Sequence, residues 1–263
     1  MLLKAADHLS PYQLLVCPDL PAVDGRGVPN GMKYRSFLDA TTATTSLANV
    51  TWGYISSRGY ELLSFLERSV HYWLHLQPDV VDWREQYPFF DPNEVARYMR
   101  TGKRVPRNKV PTLDFVYTLA ANDNQPYRSG AISVKSKEEL KLAATWRRME
   151  REQAFCAQHG WSWRMITEEQ MPTSKGRACR EVVLWAQYSE IAADADSARL
   201  LAALVRKSAN GHDSFEDVLS DSALQLGCTL NDAYTFFAVA CISKLLFLDL
   251  SKFRNIHSPL VLL

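Results

Sequence analysis

Three residues in one interrupted stretch, residues 61–141, have the types and order that phosphodiester hydrolysis needs: Glu67, Asp114 and Lys135. The two carboxylates would hold a hard cation that keeps several of its waters. Such a cation polarises a scissile phosphate and lowers the pKa of a bound water. A lysine ammonium orients that water or offsets the developing negative charge. Asp114 interrupts the apolar run Val110, Leu113, Phe115, Val116, where a charge is costly unless it is paired or bound to a metal. Lys135 follows Ala131, Ile132 and Val134 in a similar run. The plainer alternative is a buried Asp114–Lys135 salt bridge with no metal.

The elements that must position these groups follow from periodicity. Leu63, Leu66, Val70, Trp73 and Leu74 recur at helical spacing and predict an amphipathic helix over residues 60–77, with Glu67 at the buried edge of its stripe. His71 and His75 share that helix, but Tyr72 stands where a zinc-protease helix carries its glutamate, so packing or exposed histidines are expected rather than a zinc site. DVVDWREQYPFF reads as a strand. LDFVYTLA and GAISVKSK read as a hairpin around the turn-rich NDNQPYRSG, with Asp114 and Lys135 on neighbouring strands. Residues 136–159 read as a helix stopped at Gly160, with Arg147, Arg148 and Arg151 on its outer face. WSWRMITEE closes the unit as a further strand, and the crossover to it makes the sheet mixed.

Taken in order, SFLERSVHYWLHLQPDVVDWREQYPFF, TLDFVY and ISVKSKEEL resemble the TnsA-type endonuclease subunit of heteromeric transposases. The most specific part is DVVDWREQYP, where Arg84, Glu85, Gln86 and Pro88 match the family's REQ-x-P run. The resemblance covers about residues 60–170 and is weak outside them. It implies a restriction-endonuclease-like core of the PD-(D/E)XK group and a C-terminal winged-helix-like domain. It assigns Glu67 to the helix glutamate that helps hold metal, Asp114 to the central metal ligand and Lys135 to the catalytic lysine. The position two before the lysine, usually acidic in that group and glutamine in the best-known TnsA, is Ser133 here. A serine hydroxyl, a water or the Val134 carbonyl is left to complete the metal shell. The resemblance further implies Mg2+, with Mn2+ able to substitute, and cleavage at the 5′ ends of a transposon. Its implied partners are transposon-end DNA, an integrase-type transposase that handles the 3′ ends and an AAA+ ATPase regulator. Arg84, Glu85 and Gln86 are expected as an ion pair and amide supporting the rim of the cleft.

The expected architecture is α/β: a restriction-endonuclease-like mixed-sheet nuclease core over residues 1–170, a linker over 171–180, and a mainly helical, winged-helix-like domain over 181–263. A chain of 263 residues has room for both. The formal net charge of +1 excludes a protein coated with basic residues, so DNA contact must come from local patches. One such patch is Arg97, Arg100, Lys103, Arg104, Arg107 and Lys109, with no acid among residues 97–109. It is either a solvated face or a loop that contacts phosphates. The five cysteines show no C-x-x-C pair and read as reduced thiols, which fits a cytoplasmic protein. Neither a signal peptide nor a transmembrane segment is expected.

Residues 1–50 are the least readable part. Beyond the MPTSKGRACR linker, EVVLWAQYSEIAA, SARLLAALVRKS, FEDVLSDSALQLG and LNDAYTFFAVACISK read as helices, the last two capped by Ser214 or Asp213 and by Thr229. LLFLDL and SPLVLL read as two short strands. The base-reading helix of a winged helix would hold only Lys244 near its end, which points to partner docking or plain support of the core. Three readings of function stay open: a metal-dependent DNA endonuclease subunit, a non-catalytic assembly module favoured by Ser133, and a stand-alone restriction or repair nuclease.

Overall fold

The computed structural model describes residues 20–40, 48–90, 96–98, 100–102, 105–106, 109–121 and 126–263. Two short antiparallel strands, β1 (Asn49–Gly53) and β2 (Arg58–Leu62), precede helix α1 (Phe65–His75). The predicted helix therefore starts later than its apolar spacing suggests. Tyr60 and Leu62 are buried on β2, and Ser64 caps the helix. Apolar residues on the end of a strand and the start of a helix share one core here, so their spacing runs across the break.

The main sheet contains β3 (Val80–Pro88), β4 (Thr112–Leu119), β5 (Arg128–Val134) and β6 (Ser162–Ile166), in that order. The first three pair antiparallel, and β6 runs parallel to β5. A parallel neighbour needs a crossover. It is supplied by a 3-10 turn (Glu139–Lys141) and helix α2 (Ala143–Gln158), which ends at Gly160 with φ 66. The burial of nearly every residue of β3 and β4 shows that the sheet is covered on both faces. On one face Phe115, Tyr117, Ile132 and Val134 pack with α1. On the other, Leu113, Val116 and Ala131 pack with Phe155 and Cys156 of α2.

The stretch expected as a linker is helical. It forms most of α3 (Thr173–Leu184), which packs along α1. Gly176 permits the approach: a Cβ there would lie 2.5 Å from Ser69 Oγ and 2.8 Å from Ser69 Cβ. Helices α4 (Ala195–Ser208), α5 (Phe215–Leu226) and α6 (Leu230–Ile242) follow. Ser214 caps α5, and Thr229 forms a capping box with Asp232 at the start of α6. Residues 185–194 are turns, so EVVLWAQYSEIAA is helical only in its first part. The two expected C-terminal strands are reduced to an isolated bridge, Leu248 to Leu262, with Asp249 N–H donating to Val261 O and Leu263 N–H to Phe247 O. The last segment also bridges Ser214 through Pro259, and pairings this short are marginal as strands. No helix among the described residues is long and apolar enough to cross a membrane.

Candidate active site

The first turn of α1 fixes Glu67. The Ser64 hydroxyl accepts from the Glu67 N–H at 3.0 Å, and the Glu67 carboxylate in turn accepts from the Ser64 hydroxyl at 3.2 Å and the Leu63 N–H at 2.9 Å. This reciprocal pairing at a helix start satisfies donors that the helix itself leaves open. Gln86 Nε2 adds a bond to Glu67 Oε2 at 3.1 Å, and Gln86 Oε1 accepts from Thr112 Oγ1 at 3.1 Å. Gln86 lies inside β3 yet has φ 47, a left-handed conformation costly for a residue with a Cβ.

Asp114 Oδ2 accepts from the Val134 N–H at 2.7 Å and from Lys135 Nζ at 2.6 Å. Lys135 Nζ also donates to the Val134 carbonyl at 2.9 Å. Lys135 is only 3% exposed. Arg148 reaches in from α2, with Nη2 3.5 Å from Asp114 Oδ1 and Nε 3.0 Å from Glu152 Oε1. Glu67, Gln86, Asp114, Val134, Lys135 and Arg148 line one cleft of about 590 Å³. Residues scattered over three strands and two helices are thus brought to a single place.

The two acids titrate against each other. Burial, and then the charge of Asp114, push the Glu67 pKa up to about 7. Burial also opposes ionisation of Asp114, but Lys135 and then Arg148 outweigh it and hold its carboxyl below the usual range. The Lys135 ammonium stands between Asp114 Oδ2 and the Val134 carbonyl, where a cation would meet the same two oxygens. No three His, Cys, Asp or Glu side chains among the described residues are grouped so as to hold a metal ion. Any cation here would rest on two carboxylates and a carbonyl, with water completing its shell, a donor set that suits a small hard ion.

Other expected site residues lie elsewhere. Arg84 and Glu85 are fully buried away from the cleft and do not pair with each other. Glu85 takes two bonds from Arg58, at 2.9 and 2.6 Å, and Arg84 donates to Asp24 at 2.6 Å. Of that run only Gln86 reaches the cleft, and in place of the expected rim ion pair Glu85 and Arg84 form two separate buried pairs, with Arg58 and with Asp24. Lys103, Arg104 and Arg107 lie outside the described residues. Arg97, Arg100 and Lys109 are exposed, on the connection that enters β4 at Thr112, itself part of the cleft wall. His71 and His75 are buried against Tyr60 and Trp83, and His71 Nδ1 accepts from Trp83 Nε1 at 3.2 Å. They are packing residues, and burial keeps both neutral at ordinary pH.

The sequence reading missed Arg148 and Glu152. Arg148 was expected on the outer face of its helix, but its long side chain folds back to Asp114 and Glu152. Glu152 is fully buried, and only its spacing from Met149 and Phe155 within the buried stripe signalled its position. Ser133 is also fully buried, and its hydroxyl eases the ionisation of Glu152.

Residues 77–168 match the family model described as TnsA-like endonuclease N terminal. A search of curated proteins finds no match to the chain. The match spans β3 to β6, and with them Gln86, Asp114, Ser133, Lys135 and Glu152. Glu67 lies before its start and enters the site through the geometry alone. This part of the chain is thus similar to the N-terminal domain of TnsA-like endonucleases, and its mixed four-stranded sheet with a helical crossover agrees with a restriction-endonuclease-like fold.

Proposed function

We propose that this chain, with its TnsA-like endonuclease domain, is a metal-dependent DNA endonuclease subunit of a transposase that hydrolyses the 5′ ends of a transposon. The observation that carries the reading is the meeting of Glu67, Asp114 and Lys135 in one cleft, with the lysine ammonium bridging Asp114 and the Val134 carbonyl. Glu67, Asp114 and the Val134 carbonyl would hold Mg2+, for which Mn2+ could substitute, with Ser133 next to Val134 in the chain. When bound, the ion supplies Lewis acidity and lowers the pKa of water.

The chain's own residues do the rest. Lys135, whose Nζ lies between Asp114 Oδ2 and the Val134 carbonyl, orients the attacking water. Gln86 and Ser64 keep the Glu67 carboxylate aimed into the cleft. Arg148 is half exposed beside Asp114 and offers a guanidinium to the phosphate. The water oxygen bonds to phosphorus, the P–O3′ bond breaks, and O3′ takes up a proton. The products are a 5′-phosphate and a 3′-hydroxyl. Arg97, Arg100 and Lys109, together with Lys103, Arg104 and Arg107, hold DNA by its phosphates. The partners are transposon-end DNA, an integrase-type transposase and an AAA+ ATPase, in the cytoplasm. The helices after α3 dock those partners as a winged-helix-like unit.

The test is nicking of supercoiled DNA with Mg2+ or Mn2+ by wild type, Asp114→Ala and Lys135→Ala. Wild type nicks, and each substitution slows nicking by about 100-fold or more. Nicking that survives Asp114→Ala overturns the assignment. Ser133 favours a second reading, a non-catalytic assembly module built on the same fold. That module would bind no Mn2+ in a manner that depends on Glu67 and Asp114.

A further inference from the structure

A second groove, of about 680 Å³, adjoins the cleft, and Tyr34, Phe37, Pro88, Phe90 and Val110 form much of its wall. The two sites share their chain segments. Gln86 and Thr112 line the cleft, while Pro88, further along the same strand, and Val110, just before β4, line the groove. Pro88 is the register partner of Thr112. Phe37 belongs to the groove and its neighbour Leu38 to the cleft.

The groove has a fixed floor and an open aromatic wall. Tyr34 is buried, its hydroxyl donates to the Glu85 carbonyl at 2.8 Å, and its ring lies parallel to that of Tyr87. Phe90 is 45% exposed. A lone exposed ring needs no explanation, but this one borders an apolar groove. The charged residues that line the groove, among those described, are Lys33 and Arg35, both basic and exposed. Exposed Lys109 adjoins Val110 at the end of the basic connection. Aromatic walls, cations at the rim and no lining acid suit a ligand with a flat π face joined to an anion. Nucleotides have that chemistry, since bases stack on aromatic side chains and phosphates take the cations. An apolar peptide would use the walls but not the cations.

Resting on the endonuclease reading above, we infer that this groove binds the base of an unpaired nucleotide next to the scissile phosphate. With that phosphate in the cleft, the next nucleotide of the same strand crosses from Thr112 to Val110, a step of about 7 Å at strand spacing. Its base stacks on Phe90, and Lys33 and Arg35 hold the phosphate that follows. Inside a duplex a base is stacked between its neighbours and does not enter such a groove. Unstacking costs least for a base that lacks a pairing partner. The preferred substrate is therefore duplex DNA with an unpaired nucleotide beside the cut.

The experiment is fluorescence anisotropy on the full chain without divalent metal, so that nothing is cut. Labelled duplexes of one sequence are compared: fully paired, with a single-nucleotide bulge, and with an abasic site in that bulge. The bulged duplex is expected to bind about ten-fold tighter than the paired one, the effect of stacking a single base. An abasic bulge keeps the backbone flexibility without the base and should lose that gain. Phe90→Ala should lose it too while binding the paired duplex as wild type does, and Phe90→Trp, which keeps a ring, should retain it. Equal affinity for paired and bulged duplexes overturns the inference, as does a gain that survives the abasic site or Phe90→Ala. A groove that takes an apolar segment of a partner protein would give that result. The endonuclease reading would still stand on metal-dependent nicking. Wild type that binds none of the duplexes overturns both.

Discussion

Glu67 and Asp114 lie in one cleft, each buried, with one ammonium between Asp114 and the strand. Because the Glu67 pKa is pushed up to about 7, folded chain keeps a proton there that unfolded chain has already released. Bound protons then outnumber those of the unfolded chain, so wild type loses stability as pH rises from the ordinary carboxylate range to about 7. Glu67→Gln should abolish that slope, and urea denaturation across this range will show it; parallel curves would refute the assignment. Gln86 invites a second comparison. Its φ of 47 suits glycine, so Gln86→Gly should be more stable than Gln86→Ala by about 1 kcal/mol, although both lose the bond to Glu67. Equal stability of the two in denaturant titrations would mean that the backbone there is not strained. At this scale the sequence showed Glu67, Asp114 and Lys135 through charges set in apolar runs. Arg84 and Glu85 misled, because nothing local tells that their partners are Asp24 and Arg58.

Elements were legible where apolar pattern and element coincide. The strands holding Asp114 and Lys135 are near-continuous apolar runs, and α5 and α6 carry their caps in the sequence. The segment taken for a linker failed for a tertiary reason. Pro172 precedes the helix and Gly176 sits within it, both breakers by local propensity. Proline is at home at a helix start, and the glycine is needed where α3 crosses α1 at Ser69. Alanine at Gly176 would gain about 1 kcal/mol of helix propensity. It would also place a methyl against Ser69 Cβ, and overpacking costs about 1–3 kcal/mol. We expect Gly176→Ala to be net destabilising in thermal unfolding, and to weaken Mn2+ binding, because Ser69 lies on the helix that carries Glu67. A stabilised variant would show that the two helices can separate freely.

Across the whole molecule, one contact ties the C-terminal helices to the catalytic helix. Lys244, just after α6, donates to the carbonyls of His75 at 2.7 Å and Gln77 at 2.6 Å, at the C-terminal end of α1. A cation there satisfies carbonyls that the helix leaves open. Burial brings the Lys244 pKa down to about 7, so the folded chain sheds a proton that the unfolded chain keeps up to the ordinary lysine range. Stability should therefore rise as pH climbs above about 7, and Lys244→Met should remove that rise while costing about 1–3 kcal/mol in lost hydrogen bonds. Denaturation at neutral and alkaline pH checks both; a variant that keeps the rise would place its origin elsewhere. The hydrophobic core likewise runs from Trp83 and Phe115 through Val182 to Phe237. No periodicity in the sequence reveals such continuity, because it depends on which faces meet after folding.

The central claim is that Glu67, Asp114 and the Val134 carbonyl share one cation. Crystals grown with Mn2+ test it most directly through anomalous scattering. A peak within coordination distance of both carboxylates, with the Lys135 ammonium displaced from Asp114, is the predicted result. An empty cleft with Lys135 still bonded to Asp114 at high Mn2+ would contradict the account.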